Sequence, residues 1–311
     1  PEELDTYEKF FDAYKRQVEY ITDCAIAMSD KAQRIYAKYA PNPLRSNTIE
    51  GCVESARDYK NGGPVYNHGQ ILTEGIADTA DSLTAVKHFV YDTKKYTLAE
   101  LIKAIDDDFV GHDELYHDFS TYDKFGNDKE EPDSICAAII DHFYSYLQTK
   151  RTFRGGIYGG GCSTFSRAAF YGSGTGALPN GKHKGDDLLA DSIGAVPGCD
   201  TNGPTALLNS VTKQPQNLAV SGNVLNMKFT KELFGQEKGQ LGFIALAKTY
   251  FKKGGQQLSV SVVSTEELRD AQIHPEKHGD LIVRVGGYSD YFVKLSKGLQ
   301  NNIITRTEIA P

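Results

Sequence analysis

The second half of the chain alternates between strand and helix patterns, and this alternation restricts the fold more than any other feature. Residues 224–229 and 258–262 have the pattern of strands, whereas residues 205–212 and 241–251 have the pattern of helices. Strands separated by helices are typical of α/β proteins, in which helices cover parallel strands. The 311 residues suffice for one large or two ordinary domains.

The first half is predicted to be mainly helical. Residues 4–39 have apolar side chains at helical spacing, and Pro41 and Pro43 then stop the helix. Residues 133–148 predict a second long helix. The glycine-crowded residues 154–204 predict long loops around a short strand near residues 165–170.

Composition disfavours several classes of function. A net charge of -7 disfavours nonspecific binding to nucleic acid or to an anionic membrane surface. No window approaches 18 apolar residues, so no transmembrane helix is expected, and the acidic N-terminus does not resemble a signal peptide. The five cysteines are widely spaced without a CxxC pair, so we expect no metal site and a reducing, cytoplasmic compartment.

A pair of glycines, Gly286 and Gly287, follows the apolar run 281–283. Glycine is used where the backbone turns unusually or is closely approached. The simplest interpretation is a strand-to-loop turn. A second interpretation is chemical: loss of a Cα hydrogen from glycine leaves a carbon radical that the neighbouring amide and carbonyl groups delocalise.

A second candidate motif lies near the other end of the chain, at Gly51-Cys52-Val53-Glu54. In an extended loop, residues i and i+2 project to the same side, so Cys52 and Glu54 would place a thiol beside a carboxylate. This pair predicts a reactive sulfur next to a general base. The alternative is a buried structural cysteine beside a solvated glutamate.

Taken together, these motifs resemble the two signature loops of the glycyl radical enzyme superfamily, which includes pyruvate formate-lyase. The intervening and C-terminal segments are also similar to that family, and they agree in order along the chain. The similar segments are Asn180-Gly181-Lys182-His183-Lys184-Gly185, Leu189-Ala190-Asp191-Ser192, Asn202-Gly203-Pro204-Thr205-Ala206 and Gln300-Asn301-Asn302-Ile303-Ile304-Thr305-Arg306-Thr307.

The resemblance implies an α/β fold, namely part of a barrel made of two parallel half-barrels wrapped by helices. The cysteine loop and the glycine loop would meet inside this barrel. Residues 1–185 would form the C-terminal part of the formate-lyase-like barrel domain and carry the Cys52 loop. Residues 186–311 would form the glycine radical domain and carry the Gly287 loop.

The resemblance also implies roles for individual residues. Gly287 would store the radical, Cys52 would become the thiyl that removes a substrate hydrogen, and Glu54 would be the general base. Arg284 and Tyr288 would support the radical loop. No small-molecule cofactor or metal would be bound, because a separate iron-sulfur enzyme that uses S-adenosylmethionine, the activating enzyme, would install the radical.

The residue after Cys52 selects a branch of the family. The formate-lyase branch has two adjacent cysteines, whereas this chain has Val53. Cysteine-x-glutamate is similar to the lyase branch, whose members break C–O, C–N or C–S bonds in small hydroxylated substrates. Arylacetate decarboxylases and formate acetyltransferase-like members remain alternatives. Tyr66 and His68 are candidate substrate-binding residues or, equally, loop packing.

The family's members are longer than this chain, which resembles their C-terminal half. We therefore expect a missing N-terminal half or a partner chain, and a homodimer in the complete enzyme. Other expected partners are the activating enzyme and a small-molecule substrate, without nucleic acid or membrane. A hypothesis of another class is a non-catalytic module that supplies a radical glycine to a damaged enzyme. Residues 176–183 lack the Ser or Thr of a phosphate-binding loop, which disfavours nucleotide binding.

Overall fold

The computed structural model describes residues 2–162, 168–187, 189–190, 192–286 and 288–309. The helices are α1 Tyr7–Tyr39, α2 Pro43–Ser46, α3 Cys52–Ser55, α4 Ile76–Val86, α5 Leu98–Asp106, α6 Asp113–Thr121, α7 Glu130–Thr149, α8 Ala168–Gly174, α9 Gly203–Thr212, α10 Lys231–Phe234, α11 Glu237–Lys252, α12 Thr265–Ile273 and α13 Lys297–Thr305. The strands are β1 Gly69–Thr73, β2 Tyr158–Cys162, β3 Val224–Phe229, β4 Gln257–Val262, β5 Ile282–Arg284, β6 Ser289–Tyr291 and β7 Glu308–Ile309.

Parallel strands form the centre of the fold. Strand β1 pairs with β2, and β3 pairs with both β4 and β7, all in parallel register. A parallel bridge between Cys162 and Asn223 joins the end of β2 to the start of β3. Because parallel neighbours need crossover connections, helices lie between successive strands. The predicted α/β class with parallel strands is therefore confirmed.

Three apolar clusters hold the described elements together. The largest joins α4, α7, α9 and strands β2 and β3, and α1 packs against it through residues such as Phe10 and Tyr14. A second cluster lies between the end of α4, α5 and α6. The third joins α12 and α13 to Val283 and Val285. The glycine-loop segment thus belongs to a small core of its own.

Most helix predictions are confirmed, but the glycine-rich region differs from expectation. Its strand is β2, which lies before the predicted position, and Ala168–Gly174 is helical. Residues 163–167, where the predicted strand begins, lie outside the described residues. The strand was misplaced because β2 is made mostly of glycine, which disfavours strands unless close packing requires it.

Candidate active site

The cysteine motif forms a helical turn rather than an extended loop. Helix α3 begins at Cys52, directly after Gly51, whose φ of 91° lies in the left-handed region. In a helix, residues two apart point about 200° away from each other. The expectation that Cys52 and Glu54 project to the same side through an extended backbone is therefore wrong.

The Cys52 side chain is buried, with 3% of its surface exposed. A neighbouring segment approaches it closely at Gly63. A Cβ on Gly63 would lie 2.8 Å from the Cys52 sulfur and 2.2 Å from the Arg57 carbonyl oxygen. The Val65 N–H also donates to the Glu50 carbonyl at 3.1 Å. Backbone contacts therefore fix the position of the thiol, and only glycine fits at position 63.

The electrostatic surroundings keep Cys52 in its thiol form. Loss of hydration raises the pKa of Cys52, and the negative charges of Asp58 and Glu54 raise it further. Asp58 ties this loop to α2, because its carboxylate accepts hydrogen bonds from the Asn42 N–H at 2.7 Å and the Ser46 hydroxyl at 2.8 Å. The sulfur therefore retains a hydrogen atom to exchange and is a poor thiolate nucleophile.

Asp58 itself stays ionised although burial opposes its charge. Burial raises the pKa of the Asp58 carboxyl, but hydrogen bonds from the N–H groups of Lys60 and Asn42 and from the Ser46 hydroxyl outweigh this effect, so the pKa lies below its ordinary value. Asp58 was not among the residues predicted from the sequence. Its signal was an aspartate followed by a tight turn, a common pattern that carries no chemistry by itself.

Glu54 is exposed, and its carboxylate accepts the Gly51 N–H at 3.0 Å. It thus satisfies one of the free N–H groups at the start of α3. The same carboxylate is near enough to Cys52 to influence the pKa of the thiol. Glu54 therefore has an observed structural contact in addition to the predicted role of base.

Tyr66 and His68 lie together, with ring centroids 6.0 Å apart. Tyr66 is 77% exposed, and the Nδ1 atom of His68 accepts the Ile157 N–H at 3.3 Å. His68 also lines an open pocket of about 420 Å³ that includes the cations Lys60 and Arg154. A substrate-binding role for Tyr66 and His68 stays a prediction.

The predicted radical loop lies between strands β5 and β6 in the chain. Strands β5 and β6 are antiparallel, Arg284 pairs with Ser289, and the Val285 N–H donates to the Tyr288 carbonyl at 3.0 Å. Arg284 also donates to the Ser289 hydroxyl at 3.4 Å. Tyr288 is 42% exposed. These contacts include both Arg284 and Tyr288 in the pairing of the two strands, and their support of the radical loop stays a prediction.

Gly287 lies outside the described residues. The expectation that the cysteine and glycine loops meet, together with the radical role of Gly287, therefore stays a prediction. Gly286, its neighbour, follows the fully buried Val285. One further residue near this loop, Arg306, donates to the Val285 carbonyl at 2.8 Å, a contact that sequence reasoning missed.

Metal sites and membrane-spanning helices were sought in the described part of the chain. No group of three His, Cys, Asp or Glu side chains within it is arranged to hold a metal ion. None of its helices combines the length and apolar character required to span a bilayer.

Family models match two parts of the chain. The model described as pyruvate formate lyase-like matches residues 1–172, and the model described as glycine radical matches residues 189–293. The two matches together define a glycyl radical type of protein. The chain belongs to the pyruvate formate lyase-like family, and the predicted resemblance is confirmed.

Individual relatives agree with this assignment. The chain is 36% identical over 309 residues to the trans-4-hydroxy-L-proline dehydratase of Clostridioides difficile, covering 99% of this chain and 39% of the relative. It is 32% identical over 315 residues to the (2S)-3-sulfopropanediol dehydratase of Klebsiella oxytoca, covering 98% of this chain and 38% of that relative.

A solved structure shows the same fold. The glycerol-bound B12-independent glycerol dehydratase of Clostridium butyricum matches with a TM-score of 0.96 at 34% identity, covering all of this chain and 39% of that chain. The chain thus spans about two fifths of the length of the relatives it matches. The described strands correspond to part of a glycyl radical enzyme barrel, as predicted.

Proposed function

We propose that this chain carries the radical machinery of a glycyl radical lyase that cleaves a C–O, C–N or C–S bond in a small hydroxylated substrate. The enclosure of the buried Cys52 thiol by Gly63 is the observation that carries the proposal, and the raised pKa of the thiol agrees with it. An acyl-transferring cysteine would instead benefit from a lowered pKa. The two relatives described above are both dehydratases, which supports the same class.

In the proposed reaction, a radical stored at Gly287 takes the hydrogen of the Cys52 thiol. The Cys52 thiyl then takes a hydrogen atom from the substrate carbon that bears the hydroxyl group. Glu54 accepts the hydroxyl proton as the neighbouring leaving group departs with its bonding electron pair. Cys52 returns a hydrogen atom to the product radical, and the radical goes back to Gly287. Arg284 and Tyr288 support the radical loop.

The experiment uses the full-length polypeptide that contains this chain. It is treated anaerobically with a radical-forming S-adenosylmethionine enzyme and followed by electron paramagnetic resonance. We expect a glycyl doublet that is lost in Gly287→Ala and kept in Cys52→Ser, with turnover of a hydroxylated substrate lost in both. A doublet without turnover of any candidate substrate, arylacetates included, would favour the non-catalytic module. Substrates with 1,2-diol, hydroxyproline, hydroxysulfonate and arylacetate groups separate the lyase from the decarboxylase.

We further propose that the remaining part of the longer protein, or a partner chain, covers apolar surface that this chain leaves exposed. On α1, Ile21 and Met28 are 63% and 74% exposed, and on α11, Leu241 and Phe251 are 58% and 51% exposed. The isolated 311-residue chain should therefore bind a hydrophobic dye more strongly than the full-length protein does. Equal dye binding would count against this proposal.

We also propose that the complete protein is a homodimer, that a separate activating enzyme installs its radical, and that a domain boundary lies between residues 185 and 186. We also propose a reducing, cytoplasmic compartment, in which cysteines such as the buried Cys52 and Cys136 stay in the thiol form. Size measurement of the full-length protein by light scattering tests the dimer.

A further inference from the structure

A buried guanidinium holds the peptide groups that lead into the glycine pair. Arg306 is 9% exposed, and it donates from Nη1 to the Arg284 carbonyl at 3.1 Å and from Nη2 to the Val285 carbonyl at 2.8 Å. Hydrogen bonds from a charged donor are about twice as strong as neutral ones. Two such bonds to consecutive carbonyls fix the orientation of both peptide planes just before Gly286.

The segments on both sides of Arg306 in the chain contact strand β3. Arg306 lies between α13 and β7, and β7 continues the sheet by pairing with β3. On the helix side, the buried Lys228 of β3 donates from Nζ to the Ile304 carbonyl at 2.8 Å. Arg306 is therefore connected to strand β3 through short, well-bonded segments.

Two further contacts restrain the hairpin at the same place. The Ser261 hydroxyl of β4 donates to the Arg284 carbonyl at 3.3 Å. Val285 is fully buried in the cluster formed by α12 and α13. The Arg284 carbonyl thus accepts hydrogen bonds from Ser261 and Arg306, and the Val285 carbonyl accepts one from Arg306.

We propose that Arg306 is a positioning residue that sets the place of the radical loop relative to strand β3 and thereby the efficiency of hydrogen transfer between Gly287 and Cys52. This inference rests on the proposed function. Transfer between two groups requires the reacting atoms to lie about 3–3.5 Å apart, and a misplacement of about 1 Å can cost about 100-fold in rate. Loss of the two carbonyl contacts removes one restraint on the backbone just before Gly286, and we expect a displacement large enough to slow the transfer.

The test compares Arg306→Gln and Arg306→Lys with wild type in the activated full-length protein. The matched control is Arg151→Gln, because Arg151 also donates to two backbone carbonyls, those of Gln148 at 2.7 Å and Lys150 at 3.1 Å, but lies at the end of α7. The first readout is the glycyl signal per polypeptide. The second is turnover per spin.

A third readout reports hydrogen transfer without any substrate. The Cys52 thiol exchanges its proton with deuterated water, so return of deuterium to Gly287 collapses the glycyl doublet to a singlet. We expect Arg306→Gln to keep the doublet line shape but to slow both the collapse and turnover per spin about 10- to 100-fold. Both rates in Arg306→Lys should lie between those of wild type and Arg306→Gln, since an ammonium group lacks the planar fork that reaches both carbonyls. Arg151→Gln should match wild type.

The outcomes separate positioning from mere stabilisation. If Arg306→Gln lowers the number of spins but leaves turnover and collapse per spin unchanged, Arg306 is only structural and the proposal is overturned. If Arg306→Gln does not yield folded protein, wild-type rates per spin in Arg306→Lys overturn it instead. A wild-type protein without a doublet would refute the proposed function, a result distinct from either.

Discussion

At the cysteine turn, backbone contacts fix the reactive side chain, whereas at the glycine hairpin, apolar packing and a buried guanidinium fix the backbone. Cys52 lies in a turn whose neighbours Val53 and Glu54 are exposed, and its sulfur is enclosed by a glycine. Val285 is instead part of an apolar cluster, and its carbonyl accepts a hydrogen bond from Arg306. Sensitivity to substitution should therefore differ between the two regions.

The difference follows from what each region has to hold. A thiol is positioned by its Cα and one side-chain torsion, so a close backbone wall is sufficient. A glycine has no side chain to pack, so its place depends on how the neighbouring peptide groups are held. Substitutions in the two regions test this contrast.

The largest effect is expected from Glu54→Gln. The amide can still accept the Gly51 N–H but cannot take a proton, so turnover per spin should fall about 10²- to 10⁴-fold while the doublet remains. The measurement is product formation normalised to spin count. Glu100→Gln is the matched control, because Glu100 accepts the Thr97 N–H in an equivalent contact at 2.7 Å. If both substitutions change turnover per spin equally little, Glu54 only caps α3 and does not act as the base.

Gly63→Ala should have the next largest effect. The new Cβ would lie within 2.8 Å of the Cys52 sulfur, so the sulfur or the backbone must move, and we expect turnover per spin to fall about 100-fold. Gly176→Ala is the control, because a Cβ there meets nothing within 4 Å. Unchanged turnover in Gly63→Ala would show that the close approach does not position the thiol.

Local patterns in the sequence predicted the elements well. Residues 224–229 form β3 and residues 241–251 lie within α11, as predicted. Each of these signals depends on neighbours within about four residues, where helical spacing and strand alternation operate. The motif residues Cys52 and Glu54 were likewise visible as a pair.

Contacts between distant residues were not predictable in this way. Arg306 and Val285 are 21 residues apart, and their bond joins a side chain to a backbone carbonyl, which leaves no spacing rule in the sequence. The conformation at Cys52 was predicted incorrectly for a related reason. The turn depends on Gly51 in the left-handed region and on Glu54 accepting its N–H, and both could also fit a loop.

The hairpin region contains buried cations, whereas the cysteine turn has acids around its thiol, and this contrast predicts a pH effect. Lys228 is fully buried, and the loss of hydration lowers its pKa to about 8, with Glu308 opposing and Arg306 and Arg269 adding to the shift. Between that pKa and the ordinary value, the unfolded chain binds more protons than the folded chain. The contribution of Lys228 to the free energy of unfolding should therefore rise with pH across that window, by about 3 kcal/mol at most.

The check is the difference in melting temperature between wild type and Lys228→Met at pH 7.5 and pH 9.5. We expect the melting temperature of wild type to rise relative to that of the variant at the higher pH, because only wild type carries the buried amine. Lys294→Met, at an exposed lysine next to the hairpin, provides the comparison and should show no pH-dependent difference. A pH-independent difference for Lys228→Met would contradict the depressed pKa.

The smallest effect contrasts the same substitution in the two regions. Val285→Ala removes two carbons from a fully buried side chain and should lower the free energy of unfolding by about 2 kcal/mol, since each buried carbon contributes about 0.8 kcal/mol and a cavity remains. Val53→Ala, at a residue that is 64% exposed, should change it by less than about 0.5 kcal/mol. Denaturant unfolding of the full-length variants measures both. Similar losses at the two positions would mean that the cysteine turn also depends on side-chain packing, which in the complete protein would require Val53 to be covered by the rest of the barrel.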